Sequence, residues 1–104
     1  MLLIRDLMFC KPGKVRPMVE KFKAMQKLSQ GTEMGKGMGK MRILTDLSAE
    51  RFWTVISEVE VESLEAFMKM GQEGTAETKE MERIMADYHD LVVSGRREIY
   101  TIEG

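Results

Sequence analysis

The chain has 104 residues and a mass of 12.0 kDa, which leaves room for one hydrophobic core, so residues 1–104 are read as a single domain. Charged residues make up 32% and hydrophobic ones 43%, ordinary globular usage that excludes a disordered tail or a fibrous repeat. Sixteen Lys and Arg against seventeen Asp and Glu leave a formal charge of −1, so no general field draws in nucleic acid or an anionic membrane surface.

Cys10 is the only cysteine, so no intrachain disulfide can form; a small secreted domain usually carries several, and a cytoplasmic setting is expected. Met1-Leu2-Leu3-Ile4 is apolar but meets Arg5 and Asp6 at once, too short for a signal-peptide core or a membrane span.

The nearly continuous apolar run Leu2 to Cys10 predicts a strand buried on both faces, ended by the turn Lys11-Pro12-Gly13-Lys14. Pro17 suits a first helical turn, where its missing N–H has no partner to lose. Val15, Met18, Val19, Phe22, Met25 and Leu28 recur at three- and four-residue spacing and predict an amphipathic helix over 15–30. The four glycines from Gly31 to Gly39 predict a loop. Lys40 to Thr45 is expected as a short strand, Asp46 to Glu50 as a turn, and Arg51 to Val61 as a long strand that includes Phe52 and Trp53, the two strands forming a hairpin.

Ser63 can cap a helix with the apolar stripe Leu64, Phe67 and Met68, and a break is expected at Gly71 to Gly74. The helical pattern resumes through Met81, Ile84, Met85, Tyr88, Leu91 and Val92 and is expected to stop at Ser94-Gly95, with Gly95 as a left-handed cap. Arg96 to Glu103 closes as a strand. The order β-α-β-β-α-β is an α+β, ferredoxin-like sandwich.

Two helices cover one face of a four-stranded sheet, yet the first and third strands carry apolar side chains on both. Leu3, Leu7 and Phe9 oppose Leu2, Ile4 and Met8, while Phe52 and Ile56 oppose Trp53, Val55 and Val59. Packing two sheets face to face about a two-fold axis would bury the uncovered set, so a homodimer with a barrel-like interior is expected.

The Ile4-Arg5-Asp6 strand, the Lys11-Pro12-Gly13-Lys14 turn, Arg42-Ile43-Leu44-Thr45-Asp46, the strand from Phe52 to Glu60, the helix start Ser63-Leu64-Glu65-Ala66-Phe67 and Ser94 to Tyr100 come in an order that resembles the NIPSNAP-like branch of the dimeric α/β-barrel superfamily. The resemblance implies a ferredoxin-like fold forming a dimeric α/β barrel. Characterised relatives range from heme-degrading and quinone-forming monooxygenases to ligand binders. The heme-degrading type combines a helix histidine with a strand asparagine and a tryptophan near the end of the third strand. This chain has no asparagine, and Trp53 stands at the start of the expected strand, so no heme is expected.

Charges inside a sheet must pair or face a wet cavity, which singles out Arg5, Arg42 and Glu58. They could hold a ligand inside the barrel or form a structural ion-pair network. His89 is the only histidine and the natural general base or axial ligand; its bland counterpart is a helix residue at the surface. Met34, Met38 and Met41 have a spacing that suits a soft metal ion, but their loop carries lysines and no Cys or His, and no metal site is assigned. Cys10 is expected to be structural.

The expectation is a homodimeric α/β-barrel protein that binds a small, partly apolar molecule inside the barrel, near Arg5, Arg42, Trp53, Glu58, His89 and Tyr100, with no cofactor. The alternative is a cofactor-independent monooxygenase or isomerase acting on an aromatic or polyketide-like compound flanked by Trp53, His89 and Tyr100. No catalytic residue is assigned.

Overall fold

In a computed structural model that describes residues 1–30, 41–70 and 76–104, the apolar run Leu2–Cys10 forms strand β1, as its pattern predicts. Helix α1 spans Val15–Gln30 and buries Met18, Val19 and Phe22, the middle of its predicted stripe. Strand β2 is Arg42–Thr45 and β3 is Thr54–Val61. Helix α2 is Leu64–Met70, and the Ser63 hydroxyl accepts the Ala66 N–H at 3.1 Å, satisfying one of the orphan donors of its first turn. Helix α3 is Ala76–Ile84, and β4 is Val92–Thr101. The glycine-rich loop, with Met34 and Met38, and the break at Gly71 to Gly74 lie outside the described residues.

The four strands pair antiparallel in the order β2-β3-β1-β4, the ferredoxin-like arrangement. The register pairs Asp6 with Ser57 and Arg97, and Arg5 with Glu58 and Glu98. Because side chains alternate along a strand, these neighbouring residues belong to opposite faces. Ile4, Asp6, Met8, Val55, Ser57 and Val59 face the helices, and Val55 and Cys10 join Met18, Val19 and Phe22 in the core. Leu3, Arg5, Leu7, Phe9, Ile56 and Glu58 lie on the far face.

Two sequence expectations need correction. The third strand begins at Thr54 rather than Arg51: Trp53 has φ 65°, a left-handed conformation costly for a bulky residue, and the Arg51 carbonyl accepts the Thr54 hydroxyl at 2.9 Å, so Phe52 and Trp53 lie in a bend. Nor does the second helical pattern run to Gly95. It ends at Ile84, and Asp87 at φ 65° turns the chain into a short 3-10 segment, Tyr88–Asp90, from which β4 starts. Gly95 lies inside β4, where a Cβ would stand 3.0 Å from the Leu7 carbonyl oxygen and from Met8 Sδ. The glycine serves close strand approach instead of a helix cap.

The far face is also less apolar than the sequence suggests. Phe9 is buried within one chain because the Arg51 guanidinium lies 4.2 Å above its ring and that of Arg96 lies 5.7 Å away. Among the described residues no helix is long and apolar enough to cross a membrane.

Candidate functional site

Three of the residues singled out from sequence meet on the far face. Glu58 is 6% exposed and accepts a hydrogen bond from Arg42. Arg5 Nε lies 3.2 Å from its other oxygen, near enough for an ion pair but without hydrogen-bond alignment. Arg5 also reaches Glu98 at 3.8 Å. Glu98 in turn accepts the Tyr100 hydroxyl at 2.9 Å and Arg96 Nε at 3.0 Å, which brings Tyr100 into the network. The Tyr100 hydrogen bond, followed by the Arg96 charge, holds the Glu98 carboxyl below its ordinary value, and the same bond pushes the Tyr100 phenol up. A groove along this face runs past Leu3, Arg42, Glu58, Glu60 and Ile102.

Within one chain Trp53 and His89 do not join this cluster with Tyr100. Trp53 is carried away by its bend and lines a pocket with Val15 and Thr45. His89 sits in the 3-10 segment, its ring 4.0 Å from that of Tyr88, beside the start of β4. Alternation places Tyr100 on the far face, away from both elements.

The more enclosed apolar space lies on the other side of the sheet. Between the helices and the sheet is a cavity of about 350 Å³, walled by Phe22, Met25 and Leu28 of α1, Phe67 of α2, Met81 of α3 and Met8 and Val59 of the sheet. Its polar floor is Asp6, Ser57 and Arg97. Arg97 Nε donates to Asp6 Oδ1 at 2.6 Å and Nη2 donates to Oδ2 at 3.1 Å, a two-point pairing that fixes the plane of the guanidinium. Its cation also lies 5.0 Å from the centre of the Phe67 ring. The Asp6 hydrogen bond raises the Arg97 pKa further, so a fixed guanidinium–carboxylate pair with no net charge stands at the floor of an apolar pocket.

Asp6 and Arg97 are strand charges too, yet the sequence reading placed the site at Arg5, Arg42 and Glu58 alone. The available signal was alternation: Asp6 shares a face with Leu2, Ile4 and Met8, and a carboxylate on the helix-facing side requires a cation there. Burial pushes the Cys10 thiol pKa up, in keeping with its place in the core. Among the described residues no group of three or more His, Cys, Asp or Glu stands together as a metal site.

No family model matches the chain, and a search of the curated proteins finds no match. Solved structures do match its fold. An uncharacterised NIPSNAP domain protein from Burkholderia xenovorans superposes with a TM-score of 0.72 at 10% identity, covering 100% of this chain and 96% of that one. An antibiotic biosynthesis monooxygenase gives 0.72 at 10% identity over 100% of both chains. A variant of SnoaB, a cofactor-independent oxygenase from Streptomyces nogalater, gives 0.70 at 7% identity, covering 99% and 93%. This chain therefore has the ferredoxin-like fold that these monooxygenase and NIPSNAP-domain structures share.

Proposed function

We propose that this protein binds a small, mostly apolar molecule that carries one acidic or enolisable oxygen, in the cavity between the helices and the sheet. The observation that carries this reading is the fixed Arg97–Asp6 pair at the floor of an otherwise apolar space of about 350 Å³. That volume is within the range of small-molecule sites, whose walls are apolar and whose few polar groups set orientation. Arg97 Nη1, which Asp6 does not engage, donates to the ligand's acidic or enolic oxygen, while Phe22, Met25 and Met85 cover the apolar body.

In the same proposal two copies associate through the far faces. Leu3, Leu7, Leu44, Ile56 and Tyr100 supply apolar contact, and the Glu58 and Glu98 ion pairs lie among them. Leu44 and Tyr100 are exposed in one chain, and burying them favours a closed pair. This arrangement leaves the charged cluster sealed inside the barrel as a structural network and the ligand outside it, one per chain.

A second reading, a cofactor-independent oxygenase acting on an aromatic or polyketide-like compound, draws on the same cation. An arginine fixed in place by Asp6 lowers the energy of a substrate phenolate or enolate by donating hydrogen bonds to it, and that electron-rich form can pass an electron to dioxygen. The fold shared with SnoaB is compatible with this chemistry but does not carry it, since one fold serves many functions.

Mass spectrometry of small molecules released from the natively purified protein tests the binding reading. An apolar acid or phenol released by wild type and missing from Arg97→Met supports it. A compound retained equally by both removes Arg97 from the site. Oxygen uptake with an anthrone-type substrate separates the two readings, because a binder consumes none.

A further inference from the structure

A second pocket lies at the end of the sheet where β2 turns into β3, on the opposite side from the charged cluster. It is an open groove of about 380 Å³ between Val15 and Arg16 at the start of α1, Thr45 at the end of β2 with Asp46 beyond it, and Phe52 and Trp53 in the bend before β3. Phe52 is 78% exposed and Trp53 is 45% exposed. The φ of 65° at Trp53 is a strained conformation for a tryptophan, and it holds the indole at the surface instead of letting the strand continue.

Arg16 and Asp46 line this one pocket with opposite charges, yet no ion pair joins them. Asp46 is held in place because its Oδ1 accepts the Thr54 N–H at 2.8 Å, while Oδ2 has no hydrogen-bond donor among the described residues. The pocket thus offers a fixed carboxylate, a guanidinium and two aromatic surfaces, with the charges separated.

We propose that this pocket binds a free apolar α-amino acid. A zwitterion satisfies both charges at once: its carboxylate matches the fork of Arg16, and its ammonium sits between Asp46 and the face of Trp53. Its apolar side chain covers Phe52. A ligand with only an anionic group leaves Asp46 as a repelling neighbour, and one with only a cationic group meets Arg16 in the same way. The pocket is therefore selective for molecules that carry both charges on adjacent groups.

Trp53 is the only tryptophan in the chain, so its fluorescence reports this pocket directly. The intact protein is titrated with L-phenylalanine, with phenethylamine, which lacks the carboxylate, and with hydrocinnamate, which lacks the ammonium. The expected result is a saturable change with L-phenylalanine and at least tenfold weaker binding of each single-charge analogue. Arg16→Gln should weaken L-phenylalanine at least tenfold and strengthen phenethylamine, which loses a like-charged neighbour; Asp46→Asn should weaken L-phenylalanine and strengthen hydrocinnamate for the same reason. Asn keeps an acceptor for the Thr54 N–H, so the bend is retained in that variant. The proposal is overturned by an unsaturable response, by equal binding of all three compounds, or by an Arg16→Gln protein that binds L-phenylalanine like wild type.

Discussion

Asp6 on β1 and Arg97 on β4 stand opposite each other in the sheet register and share two hydrogen bonds, at 2.6 and 3.1 Å, although they are 91 positions apart in sequence. The pair faces the helices at the floor of the apolar cavity, and Asp6 orients the one cationic side chain that lines it among the described residues. Its two side chains are 24% and 51% exposed, so solvent screening keeps its contribution to stability small. Asp6→Asn should therefore cost about 1 kcal/mol or less in urea unfolding. The larger effect falls on ligand binding, since the guanidinium loses the partner that fixes its plane. A loss of several kcal/mol in stability would make the pair structural.

The far-face network should respond unequally to the loss of its two arginines. Arg5 is 29% exposed and Arg42 is 63% exposed, while the carboxylate they share is almost completely buried. Arg5→Met removes the more enclosed partner of Glu58 and should cost about 2 kcal/mol, less than full stranding because Arg42 remains. Arg42→Met should cost about 0.5 kcal/mol. Urea denaturation at fixed protein concentration measures both, and equal or reversed costs would show that the carboxylate does not depend on Arg5.

Glu98 links the network to acid stability. Its folded carboxyl is held below the ordinary value of 4.5, first by the Tyr100 hydroxyl and then by Arg96. A carboxyl lowered in the folded state contributes stability above its unfolded value, and that contribution is lost as pH falls through the folded value. Tyr100 behaves in the opposite sense. Its phenol is raised above 10.0, so its share is present below that pH and lost above it. Glu98→Gln should flatten the stability profile below pH 4.5 and advance neither limb in the neutral range; an unchanged acid limb contradicts the assignment.

Gly95 gives a test of the sheet itself. A Cβ there meets the Leu7 carbonyl oxygen and Met8 Sδ, both at 3.0 Å; the sulfur can move but the backbone oxygen is held in the ladder. Gly95→Ala should destabilise by about 1–3 kcal/mol through this crowding. A neutral substitution would mean that β1 and β4 are less closely packed at this point.

Elements with one dominant periodicity could be read from the sequence. β1 announces itself by an apolar run ended by Pro12-Gly13, and α1 by a stripe whose members Met18, Val19 and Phe22 form the core. The boundaries that failed are set by tertiary contact. Phe52 and Trp53 have strand-forming side chains, yet the backbone leaves the strand at φ 65°. Tyr88 to Val92 continues a helical pattern, yet Asp87 breaks the helix so that β4 can begin. The meeting of Arg5, Arg42 and Glu58 followed from the cost of strand charges. The Asp6–Arg97 floor depends on the register between the first and last strands, which no local pattern displays.

On the proposed reading the ligand lies between the helices and the sheet and not on the far face of the sheet. Methionine ε-methyl NMR tests it most directly, because Met8, Met25, Met41, Met81 and Met85 line the cavity while Met1 and Met68 are exposed outside it. With an anthraquinone carboxylate as probe, the five cavity methyl signals should shift saturably, those of Met1 and Met68 should stay fixed, and Arg97→Met should weaken binding about tenfold. Saturable binding that leaves the five cavity methyls unmoved, or that is lost in Arg42→Met and retained in Arg97→Met, would contradict it.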